Sequence, residues 1–80
     1  MSPNISENNT SETLIEVMLN DEQVFLSSES SISVLLLLQN IAANSVALVR
    51  NGQVLPKSRW KETLCCHGDQ FEVFALVAGG

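Results

Sequence analysis

Apolar and polar positions follow one another in short runs from residue 13 onward, and the period of each run predicts an element. Leu14-Ile15-Glu16-Val17-Met18-Leu19 has strand length, Asn20-Asp21-Glu22 carries turn chemistry, and Gln23-Val24-Phe25-Leu26 is apolar again. Together these predict an opening β-hairpin. With Ile15, Val17 and Leu19 facing a core, the alternation turns Glu16 and Met18 outward. The stretch Ser27-Ser28-Glu29-Ser30-Ser31 then offers several N-cap residues ahead of the leucine-rich run Ile32 to Ala42, which predicts one helix. At about 100° per residue, Ile32, Leu35, Leu36, Leu38 and Ala42 gather on one side and Leu37 lies nearly opposite, so Leu37 is expected to be partly exposed.

The second half is built of strands. Val46 to Arg50 reads as a strand, Asn51-Gly52 as a tight turn, and Gln53-Val54-Leu55 as a short return strand ended by Pro56. Lys57 to Glu62 is expected to form one helical turn carrying Trp60, and Gly68-Asp69 a turn before the final strand Gln70 to Val77. In that strand Phe71 and Val73 share one parity; Glu72, Phe74 and Leu76 share the other. With the first pair in the core, Phe74 and Leu76 face outward as a candidate partner-binding patch, the alternative being packing against a neighbouring loop. The element order predicts an α+β protein: a mixed four- to five-stranded sheet packed on one main helix, the order of the β-grasp, or ubiquitin-like, fold.

Composition narrows the function. Eighty residues, 45% hydrophobic and 16% charged, suffice for one small folded domain, assigned to residues 13–80. Residues 1–12 hold too little apolar material to order and are expected to form a disordered N-terminal extension. Nine acidic residues against four basic ones give a net charge of −5, which argues against nucleic-acid binding. All four basic residues, Arg50, Lys57, Arg59 and Lys61, fall within residues 50–61; a solvated patch is the plain expectation, docking to an acidic partner the lesser one. Apolar runs such as Val34 to Leu38 are far short of a membrane span, and the N-terminus has no secretory pattern, so a cytoplasmic address is expected. Cys65 and Cys66 are adjacent, point to opposite sides, and are expected to be free thiols. His67 beside them invites a metal reading, but separated four-ligand spacing is missing and no metal site is expected. Trp60 is read as structural, packed over the edge of the core.

The stretch Val49 to Trp60, followed by Gly68-Asp69-Gln70 and the terminal Ala78-Gly79-Gly80, resembles the ThiS sulfur carriers of thiamine biosynthesis. Asn20-Asp21 after the first strand fits as well, and the similarity spans Ile15 to Gly80. Lys57 departs from the usual Arg after the proline, and the Cys65-Cys66-His67 run is unusual for the family. The molybdopterin-synthase small subunit shares the fold and the Gly-Gly end but usually carries a proline-containing segment before its tail, absent from Phe74 to Ala78. A ubiquitin-like modifier is a further alternative.

The resemblance implies a protein cosubstrate rather than an enzyme. A ThiF-like adenylating enzyme would activate the Gly80 carboxylate with ATP, a sulfur-donating enzyme would supply sulfur, and the resulting thiocarboxylate would deliver it to a ThiG-like thiazole synthase. Gly79, with Ala78 before it, forms the tail that threads a narrow active site, since glycine allows close backbone approach. No cofactor is implied for the chain itself, and it is expected to be a monomer when free.

Overall fold

Two asparagine-led turns organise the sheet, which the computed structural model shows within residues 13–76, the ones it describes. Strand β1 (Leu14–Leu19) turns through Asn20-Asp21 into β2 (Glu22–Ser27), and β3 (Val46–Arg50) turns through Asn51-Gly52 into β4 (Gln53–Val54). All four turn residues have positive φ, at 50° and 70° in the first turn and 49° and 86° in the second. That backbone twist matches the strands flanking a two-residue hairpin. The final strand, β5 (Gln70–Ala75), enters the middle to give the order β2-β1-β5-β3-β4. It runs parallel to β1 and antiparallel to β3.

The helix α1 (Ile32–Leu38) follows β2. Ser31 caps it, its hydroxyl accepting the Val34 N–H at 3.2 Å, and so satisfies one donor that the first turn leaves free. The predicted helix is four residues too long, because the chain leaves the helix at Asn40, whose φ is 59°. There Asn40 N–H donates to Leu37 O and Ile41 N–H to Leu36 O. These are the paired bonds of a left-handed C-terminal cap, with Ile41 folded back onto the core. Two core expectations fail for that reason. Ala42 lies beyond the helix and is exposed. Leu38 sits in the last turn, about 120° around from Ile32, and is 59% exposed. Leu37 is exposed as its angular position predicts.

The core lies between α1 and one face of the sheet. Ile15, Val17 and Leu19 from β1, Leu26 from β2, Leu48 from β3 and Phe71 from β5 meet Ile32, Leu35 and Leu36. Trp60 belongs to the same cluster rather than to its edge, and its indole N–H donates to Leu55 O at 2.9 Å, so its one polar group is satisfied. A short 3-10 turn (Ala43–Ser45) leads into β3, and another (Lys57–Arg59) delivers Trp60. The following loop is pinned to the start of the helix by Ile32 N–H to Thr63 O and Cys65 N–H to Ser30 O, each 2.9 Å. No helix among the described residues is long and apolar enough to cross a membrane. Residues 1–12, with their expected disorder, and Val77 at the end of the predicted final strand lie outside the described residues.

Candidate functional site

Strand pairing decides which side chains share the face that α1 leaves open. Phe74 pairs with Ala47, Glu72 with Val49, and Val49 in turn with Val54. Paired residues project to the same side, so Phe74, Ala47, Val49 and Val54 form one outer surface, opposite Leu48 and Phe71. Phe74 is 51% exposed, Leu76 58% and Val54 73%. Phe74 thus stands in the open, as the strand parity predicts, and Leu76 is exposed one residue past the end of β5, where the strand has already stopped. Ala47, Val49 and Val54 were missed as members of this patch. The parity opposite Leu48 marks Ala47 and Val49 in the sequence, but only the register of β3 against β5 places them beside Phe74.

Leu76 is the last described residue, and its N–H donates to Ser45 O at 2.8 Å. This bond fixes where the chain leaves the sheet: alongside the start of β3, next to the apolar patch. Ala78, Gly79 and Gly80, the predicted tail and its reactive carboxylate, lie outside the described residues.

The opposite end of β5 is polar and closed. Asp69 is buried, and its carboxylate accepts from Arg50 Nε at 3.0 Å, Asn51 Nδ2 at 3.1 Å and the Cys66 N–H at 2.9 Å. Arg50 Nη2 completes an ion pair at 2.9 Å. Burial works against the Arg50 charge, but the hydrogen bond and charge of Asp69 outweigh it and raise its pKa. Arg50 is therefore an internal clamp and not a member of the solvated basic patch expected from sequence. The Gln70 N–H donates to Asn51 Oδ1 at 2.9 Å, which ties the first residue of β5 to the β3-β4 turn.

Cys65 and Cys66 are both free, the first buried and the second exposed. Burial, then the nearby Asp69 charge, pushes the Cys65 thiol up to about 11. Cys66 Sγ lies 3.4 Å from Arg50 Nη2. His67 Nδ1 accepts the Glu16 N–H at 3.1 Å, an attachment of the loop to β1. Among the described residues no three His, Cys, Asp or Glu side chains gather to hold a metal ion.

Comparison with known proteins agrees with this fold. The thiamine biosynthesis protein ThiS from Geobacter metallireducens has a solved structure that superposes with a TM-score of 0.72 at 23% identity, over 82% of this chain and 100% of that one. At that identity the likeness speaks for the fold, a β-grasp. No curated protein sequence matches the chain. A family model described as the ThiS family matches residues 4–80, and the chain therefore belongs to the ThiS family of sulfur carriers of thiamine biosynthesis.

Proposed function

We propose that the chain carries sulfur on its C-terminal carboxylate and is a cosubstrate of partner enzymes, with no catalytic site of its own. The carrying observation is the exit of the chain at Leu76 beside an exposed apolar face, in a chain that ends Ala78-Gly79-Gly80. A carboxylate is a poor acyl donor, so Gly80 must first be activated. The carboxylate oxygen attacks the α-phosphorus of ATP on a ThiF-like enzyme, pyrophosphate leaves, and an acyl-adenylate forms. A sulfide equivalent from a sulfur-donating enzyme then displaces AMP to leave the thiocarboxylate, which supplies a ThiG-like thiazole synthase. ATP is thus the partner's cosubstrate. The place of work is the cytoplasm.

Phe74 and Leu76, with Ala47, Val49 and Val54 beside them, are the surface that a partner grips while the tail enters its active site. Glycine at positions 79 and 80 suits that entry, because a side chain there would meet the walls of a narrow channel. The test is an intact mass after incubation with the adenylating enzyme, ATP and a sulfur source, beside a chain lacking Gly80. Exchange of one oxygen for sulfur, seen only with Gly80 present, is the expected result. An unchanged mass with a competent activating enzyme, or an amide bond between Gly80 and a lysine, would overturn the reading.

A further inference from the structure

Arg50 is absorbed by Asp69, and the three remaining basic side chains, Lys57, Arg59 and Lys61, are exposed. Arg59 pairs with the exposed Glu62 at 2.7 Å. Lys57 and Lys61 make no ion pair among the described residues. Both stand over a groove of about 620 Å³ between Ser33 on α1, Ala43 and Asn44 of the first 3-10 turn, and Trp60 behind the second. Lys57 Nζ donates to Asn44 Oδ1, which holds this cation across the groove rather than free in solvent. A smaller groove, about 200 Å³, shares Ala43, Asn44, Lys57 and Trp60 with the first and continues to Val54 and Leu76. The two grooves adjoin along these residues and are together called the channel. It starts where the chain leaves β5, runs past Lys57, and ends at Lys61.

We propose that this channel receives an acidic, extended segment of the adenylating partner, its carboxylates facing Lys57 and Lys61 and an apolar side chain seated against Ala43. The inference rests on the carrier reading and adds to it where the partner touches the helix side of the domain. Charge is the first support. The chain has a net charge of −5, whereas this strip presents Lys57 and Lys61 without an ion pair among the described residues, and such a contrast fixes orientation on encounter. Continuity is the second. Val54 and Leu76 belong both to the outer apolar face and to the mouth of the channel. A partner that grips the base of the tail is already at the entrance. The apolar floor supplies contact area, and the lysines on the rim supply selection.

The experiment is ATP–pyrophosphate exchange by a ThiF-like enzyme of the thiamine pathway, with the full-length chain as varied substrate. Lys61→Glu, Ser58→Glu and the double variant K57E/K61E are compared with Gln39→Glu, which adds a negative charge away from the channel. Circular dichroism checks folding. We expect KM for the double variant to rise about tenfold with kcat unchanged, the single variants to rise by smaller factors, and Gln39→Glu to match the wild type. Raising the salt from about 50 mM to about 500 mM should close most of the gap. If the wild type is activated while Lys61→Glu and Ser58→Glu stay within about twofold of it, the channel proposal is overturned and the carrier reading stands. If KM falls instead, the channel holds the chain's own C-terminal carboxylate, and the proposal is again overturned. If no activation of the wild type occurs, the carrier reading fails and the channel proposal falls with it.

Discussion

The two ends of strand β5 are held by different chemistry. At its start, the buried Asp69 gathers donors from Arg50, Asn51 and Cys66, and Asn51 binds the Gln70 backbone in turn. At its finish, Leu76 is held by one backbone bond to Ser45, and the side chains around it are apolar and open to solvent. The first end is closed by polar groups that are satisfied only when the loop, the β3-β4 turn and β5 are all in place, so it serves stability. The second end leaves apolar area uncovered, which contributes little to the isolated domain and is available to a partner. On the proposed function, stability and docking are separated along a single strand, with the polar clamp at its start and the open apolar face at its finish.

Substitutions at the two ends test that separation. The largest effect on folding is expected at the clamp. Asp69→Ala leaves the half-buried Arg50 without its counter-charge and the Cys66 N–H without its acceptor, and should cost about 3 kcal/mol in urea unfolding. Phe74→Ala at the other end should change unfolding by less than about 0.5 kcal/mol, yet weaken binding to the adenylating enzyme about tenfold, or about 1.4 kcal/mol, by calorimetry. A large loss of stability in Phe74→Ala with unchanged affinity would reverse the assignment of the two ends.

A smaller effect is expected from alkali, again at the clamp end. The Cys65 thiol is raised in the folded state to about 11 from its ordinary 9.0, so the fold favours the protonated form. Its contribution is complete below pH 9.0 and is lost as pH climbs toward about 11. Urea midpoints measured across that window should fall by the equivalent of on the order of 1 kcal/mol, and Cys65→Ala should remove the slope this thiol contributes. The smallest effect belongs to Leu37→Gln on the open side of α1, within about 0.5 kcal/mol of the wild type. A larger loss would show that this exposed leucine is covered in solution.

Much of this organisation is legible in the sequence because it is local. The alternation of Ile15, Val17 and Leu19 and the parity that turns Phe74 outward follow from the two-residue period of a strand. Asn20-Asp21 and Asn51-Gly52 mark the hairpins because few residues tolerate two successive positive φ values. The length of the helix is not local in this sense. Asn40 is able to enter the left-handed region, but nothing in the pattern Leu38-Gln39-Asn40-Ile41-Ala42 tells whether it does. That choice was settled by Ile41 finding the core.

Other features exist only once distant segments meet. The sequence by itself determined which residues want burial and where the chain turns. Only the tertiary structure decided that Arg50 leaves the basic cluster to pair with Asp69, nineteen positions away. The same holds for Val49 and Val54 joining Phe74 on one face, and for the channel of Lys57 and Lys61 opening at the base of the tail. The physical reason is common to all three. Periodicity reports the preferred side of each element, whereas charge partners, shared faces and grooves depend on strand order and register, which β5 sets by entering between β1 and β3 after the rest of the chain has gone by.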